Sequence, residues 1–278
     1  MGLMQIGNRE VDMKGARLTC LGFSASQIND LPILRYISFG NLVDIFQNKR
    51  LTLTPAFEFE DTLEGCISST QARREISRLF SIEKEENCSL EYSVRAFSCR
   101  KRNTYISSWR RNAKESREMW ERYAPANDGV AICSTTAILA DIVEGNRFDG
   151  VKWNYHWGLV PVEYVELTDD FPVINFNNMF DFKMKKFVFE DELRLVADDH
   201  KGFGAETKIT TAHPFENSNA LAYQNLPRKE RISLRVDPSE FVQKIVISPG
   251  SNKEFSEKVM DLVSRYHFKN AVVSSSLL

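Results

Sequence analysis

"KIVISPGSNKEFSEKVMDLVSRYHFKNAVVSSSL" (residues 244–277) decides the fold class. "KIVI" reads as a buried strand. Ser251 and Glu254 carry the spacing of a capping box. Phe255, Val259, Leu262, Val263 and Tyr266 then recur as one apolar stripe at the helical period. "NAVVSSSL" follows as a second strand. Strand, helix and strand with short links predict a βαβ unit, right-handed, with parallel strands.

Working back from that unit, "FVFEDELRLV" (187–196) reads as a strand. Glu190, Glu192 and Arg194 fall every second residue and so share one face, with Phe187, Phe189, Leu193 and Leu195 on the other. A solvated face explains that pattern blandly, and an active site explains it sharply. "NMFDFKMKKF" (178–187) predicts a helix leading into the strand. The polar stretch 199–231 has little periodicity and predicts a long loop, a lid or a surface insertion, with Gly202 and Gly204 near its start. "GLVPVEYVEL" (158–167) and "GVAICS" (129–134) read as strands, and Thr135 can cap a helix over "TAILADIV". Residues 69–81 and 113–124 are helical by pattern, the second placing Met119, Trp120 and Tyr123 on one face. "ILRYI" (33–37) reads as a strand, Ser38 as the cap of a helix carrying Leu42, Val43, Ile45 and Phe46, and "RLTLT" (50–54) as a half-buried strand stopped by Pro55. The organisation predicted is an N-terminal arm over 1–30 and a single α+β domain over 31–278, a mixed sheet flanked by helices.

The chain has 278 residues, and 36 basic against 38 acidic residues leave a formal charge of -2. That balance gives no global field for nucleic acid or an anionic membrane, although a local basic groove is compatible with it. The opening "MGLMQIGNREVDMKG" lacks the basic-then-apolar layout of a signal peptide, and Ile6 stands where a myristoylation motif wants Ser or Thr. No apolar run approaches the roughly 20 residues of a membrane span. A cytoplasmic protein without a membrane partner is expected. The 5 cysteines include no CxxC pair and the 4 histidines are dispersed, so neither a disulfide frame nor a histidine metal site is expected. Oligomeric state is not legible.

Four blocks in order resemble the bacterial family catalogued as domain of unknown function 2971. They are Arg35-Tyr36 with "TPAFEFEDTLEG", then "SSWRRNAKESREMWERYAPANDGVAI", then Lys183, Phe187, Glu190, Glu192 and Arg194, and last Ile245, Ser248 and Pro249. Glu60 and Thr62 depart from the family's usual Asn and Pro around Asp61. The resemblance implies a cleft lined by Arg35, Asp61, Lys183, Glu190, Glu192 and Arg194, and no activity.

The Arg35 … Glu190-x-Glu192 layout is similar to that of one class of ADP-ribosyltransferases, whose cofactor is NAD. The chemistry fits the residue types. A carboxylate can stabilise the oxocarbenium-like ribose left by nicotinamide, and a second can orient or deprotonate an acceptor. Arginine can hold a pyrophosphate bidentately, and Tyr36, Trp120 or Tyr123 can stack on a ring. Aromatics at helical spacing are more often core, which is the blander expectation for Trp120 and Tyr123. Asp61 and Glu64 fit a turn as well as a cleft. The function expected is NAD-dependent ribosyl transfer or NAD glycohydrolysis with an unknown macromolecular acceptor, in a toxin or antiphage role common among bacterial NAD-consuming proteins. One alternative is a metal-dependent nuclease using Asp61, Glu190 and Glu192 with a basic residue such as Lys183. The other is a non-catalytic sensor or protein-interaction domain.

Overall fold

The computed structural model describes residues 30–61, 64–65, 97–147, 155–166, 178–199 and 230–277, with Arg74, Ser77 and the backbone of three short N-terminal strands. Of the N-terminal arm, β1 (Leu3–Ile6) pairs with β2 (Arg9–Asp12), and β3 (Leu18–Thr19) joins an edge of the main sheet. β4 (Pro32–Ser38) turns Ile33 and Ile37 to one face and Leu34 and Tyr36 to the other, all buried. Ser38 caps α1 (Phe39–Gln47) by accepting from the Asn41 amide at 3.3 Å, and Leu42, Ile45 and Phe46 pack inward. β5 (Arg50–Pro55) buries Leu51 and Leu53 and ends at Pro55, which has no amide for a ladder.

A 3-10 turn at Ala56–Glu58 follows, and then β6 (Thr104–Arg110), α2 (Arg117–Tyr123) and β7 (Gly129–Thr135). α3 (Thr136–Arg147), capped by Thr135, leads to β8 (Tyr155–Pro161) and the short β9 (Glu163–Val165). β10 (Phe182–Met184), β11 (Glu192–Asp199), β12 (Ile232–Arg235) and α4 (Pro238–Phe241) precede the C-terminal unit of β13 (Lys244–Ile247), α5 (Lys253–Arg265) and β14 (Ala271–Ser274). β13 and β14 are parallel neighbours joined by α5, the βαβ unit expected. The main sheet runs β14-β13-β7-β4-β6-β11-β8-β3 and its other pairings are antiparallel, so the fold is α+β.

Several expectations are corrected. The cap of α5 is Asn252, whose side chain accepts from the Phe255 amide at 2.8 Å, rather than Ser251. Residues 182–184 form no helix, because they pair in parallel with β9. Residues 185–190 form a 3-10 turn closed by Asp191 at φ 42, so the strand begins at Glu192 and Glu190 lies outside it. Of the loop expected over 199–231, residues 200–229 lie outside the described residues, as does all of 69–81 except the helical Arg74 and Ser77.

One departure from a simple sheet positions the site. β4 and β5 share a single edge of β6. β4 meets it at Arg110, through Leu34, while β5 meets it at Ile106 and Tyr105. Between those contacts the edge of β6 has no strand partner among the described residues, so the sheet forks there. Its other edge pairs continuously with β11 from Glu192 to Asp198. The main core, with Ile33, Trp109, Leu193 and Leu195, fills one face, and a smaller cluster of Leu34, Tyr36, Met119 and Trp120 lies on the other.

Candidate functional site

The fork holds a cavity of ≈ 240 Å³. Arg35, Tyr36, Asp61, Tyr123, Lys183, Glu190 and Glu192 all line it. Side chains from both faces of the sheet reach it. Arg35 follows the parity of Ile33 and Ile37 and lies with Trp109 on the main-core side. Glu192 stands opposite Arg110, which pairs with Leu34, and belongs to the other face. They share a cavity because the sheet is open between them.

The wall around Glu192 is a buried ionic network. Lys183 Nζ lies 2.5 Å from Glu190 Oε2, 3.3 Å from Glu192 Oε2 and 3.9 Å from Glu64 Oε2. Arg194 Nε donates to Glu192 Oε1 at 2.9 Å, and its Nη2 donates to Glu192 Oε2 at 3.1 Å and also contacts Glu64 Oε1. Arg194 Nη1 donates to the Phe180 carbonyl at 2.6 Å. Tyr123 Oη donates to Glu190 Oε1 at 3.1 Å, and Tyr164 Oη accepts from the Glu192 amide at 2.8 Å. Glu190, Glu192 and Arg194 are only 3%, 4% and 0% exposed, so the solvated strand face is corrected. Desolvating these charges costs several kcal/mol each unless they are paired, and the geometry pairs them.

The ionisation behaviour follows from that packing. Burial raises the pKa of Glu192, against the lowering pull of Lys183 and a Ser108 hydrogen bond. Burial also works against the charged form of Lys183, but Glu192 and Glu190 outweigh it and raise its pKa. Burial draws Arg194 down to about 9, opposed by Asp61, and its contacts with Glu64 and Glu192 hold the charged form. Burial and then the Glu190 charge push the Tyr123 phenol up.

Arg35 is different. Its guanidinium carbon lies 5.7 Å from the centroid of the Trp109 ring. Among the described residues it makes no hydrogen bond or ion pair. Burial lowers its pKa to about 10, so at neutral pH it is a charged, partly buried cation facing the cavity with no ion-pair partner among the described residues.

Two residues expected at the site stand back from the cavity. Arg194 lies fully buried behind Glu192. Trp120 packs edge-on against Tyr36 at 4.7 Å and donates Nε1 to Glu115, so it is core. Tyr36 lines the cavity, but its hydroxyl accepts from the Ser116 amide at 2.9 Å, which fixes the start of α2. Arg110, Trp109 and Phe187 also line the cavity, none of them expected there from sequence pattern. Only the register of β6 against β11 brings Arg110 beside Glu192. Phe187 lies 4.9 Å from Lys183 Nζ and 4.8 Å from Lys186 Nζ. At the rim Arg122 reaches Glu60 at 3.5 Å.

Among the described residues no group of three His, Cys, Asp or Glu is arranged to hold a metal ion. Glu64, Glu190 and Glu192 do converge, but the Lys183 ammonium takes the place between them. No family profile matches the chain, and neither the characterised proteins nor the solved structures searched include a match.

Proposed function

We propose that the cavity binds NAD or a related nucleotide and carries out ribosyl transfer or NAD glycohydrolysis. One observation carries this reading: an unpaired guanidinium, Arg35, and a carboxylate pair, Glu190 and Glu192, line the same cavity. Arg35 supplies the charge and fork geometry for a phosphate. Glu192 faces the position where an oxocarbenium-like ribose would develop charge. The volume, ≈ 240 Å³, is below the roughly 300–1,000 Å³ of sites that engulf a drug-sized ligand. It would enclose the ribosyl-nicotinamide end of NAD and leave the adenosine outside. Trp109, Phe187 and Tyr123 offer ring contacts there. The four sequence blocks similar to domain of unknown function 2971 centre on these residues, which supports the site without naming a reaction. NAD depletion of this kind would suit a toxin or antiphage effector.

A second reading is favoured by the saturation of Glu192. Its carboxylate accepts from Arg194 and from Lys183, and Ser108 also hydrogen-bonds it. Such a compensated carboxylate stabilises a developing cation less, and the cavity would then sense a nucleotide without turning it over. The nuclease alternative is disfavoured, because Lys183 would have to leave before Mg²⁺ could enter.

Nicotinamide release from NAD, with cell extract as acceptor, tests the proposal. The unmodified protein is expected to release it in EDTA, and Glu192→Gln to lose about 10²–10³-fold in kcat with little change in NAD affinity. Arg35→Ala is expected to weaken NAD binding by about 10- to 100-fold through loss of a charged hydrogen bond. Binding without release would favour the sensor, and no binding of NAD or ADP-ribose would end both readings.

A further inference from the structure

β5 and β12 bring two arginines face to face. Arg50 and Arg235 are partners in the antiparallel register, so their side chains share one face of the ribbon. Like charges placed directly opposite are destabilising, a cost that a bound anion would reverse. Both line a groove of ≈ 640 Å³ together with Lys49, Arg231, Asn146 and Tyr155, and among the described residues no carboxylate lines it. Arg231 is paired, with Glu58 at 3.0 Å. Lys49, Arg50 and Arg235 make no ion pair among the described residues. This concentration stands in a chain whose formal charge is -2, so it is no by-product of a general basic excess.

The platform under these cations is held firmly. Asn146 accepts from the Arg235 amide at 2.6 Å and donates to the Arg235 carbonyl at 2.8 Å. The Val236 amide donates to the Lys49 carbonyl at 2.9 Å, with Lys49 at φ 53. Asp141, Asp237 and Glu240 line an adjoining depression, which Lys49 and Arg235 share, and bound the positive strip on that side.

We propose that this groove binds the phosphate backbone of a single-stranded nucleic acid. Guanidinium groups match phosphate geometry, and a single strip of cations with carboxylates along one side suits one backbone better than the two of a duplex. Tyr155, half-buried in the wall against Tyr105 and Trp157, leaves its exposed part for contact with a base. The site is separate from the fork cavity, and the proposal stands whether or not NAD is consumed.

Fluorescence anisotropy with labelled oligo-dT and oligo-U measures the binding directly. With about four phosphate contacts, log Kobs against log salt is expected to slope at roughly -3. Arg50→Glu with Arg235→Glu should weaken binding by about tenfold or more and flatten that slope. Lys253→Glu with Lys258→Glu makes the same charge change on α5 and should leave binding as it was. Circular dichroism checks the fold, and Arg50→Gln with Arg235→Gln replaces the reversal if that variant misfolds. Absence of binding at low salt would overturn the proposal, as would indifference to the Arg50 and Arg235 changes. So would equal affinity for the matching duplex, or equal competition by polyglutamate.

Discussion

At the residue scale, Lys183 holds the site together. Its ammonium is the shared counter-charge of Glu190 and Glu192, and all three side chains are buried. Lys183→Met removes the cation and leaves uncompensated carboxylates, which is expected to cost about 3–5 kcal/mol in urea denaturation. A change under 1 kcal/mol would show that water already screens the pair. The same residue sets a pH dependence. Burial raises the pKa of Glu192, so the folded state holds that proton more tightly than the unfolded chain. This group's contribution therefore favours folding at low pH and is lost as pH rises from the ordinary carboxylate value through the raised one. Activity that needs Glu192 ionised should then have its acid limb above the usual glutamate range. Lys183 is the chief lowering influence on Glu192, so Lys183→Gln should move the limb to still higher pH, and Lys183→Arg should restore it. An unmoved limb in the rate profile would remove Glu192 from the reaction. Much of this was legible: the every-second-residue spacing correctly joins Glu192 and Arg194. The place of Glu190 was not, because a left-handed Asp191 turns the chain and brings Glu190 back through Lys183 rather than along a strand.

At the element scale, local capping and periodicity mark helices well and pairing poorly. Ser38 and Thr135 cap the helices that follow them, as their spacing predicts. For α5 the cap is Asn252, one residue beyond Ser251, and the two residue types cap about equally well, so composition alone does not choose between them. Asn252→Ala should cost about 1 kcal/mol, seen as a lowered Tm, whereas Ser251→Ala should cost less. β10 was illegible because its strand form comes from a partner, β9, rather than from its own pattern. The turn before the network has one demanding position. Gly65 has φ +66, and a Cβ there would come 2.5 Å from the Phe180 ring. Phe180 also offers its carbonyl to Arg194. Gly65→Ala should therefore cost about 1–3 kcal/mol and disturb Arg194 as well, detectable by denaturation alongside nucleotide affinity.

At the scale of the whole molecule, the C-terminal βαβ unit was legible, since strand and helix signals stand close together in sequence. The fork was not. It depends on two strands, β4 and β5, competing for one edge of β6 across a separation no local pattern spans. Among the described residues no helix is long and apolar enough to cross a membrane.

That competition leaves its mark on a part of β6 that, among the described residues, pairs with no strand on one side. Ladder hydrogen bonds shield amides from solvent, and the stretch Ser107–Trp109 has such bonds only toward β11. Hydrogen–deuterium exchange should therefore divide this short strand along its length. Amides facing β11 should be slow and those facing the opening faster, although both belong to the centre of the sheet. A molecule seated in the cavity would slow the fast set alone. Such a change reports occupancy of the fork without any assumption about what reaction follows.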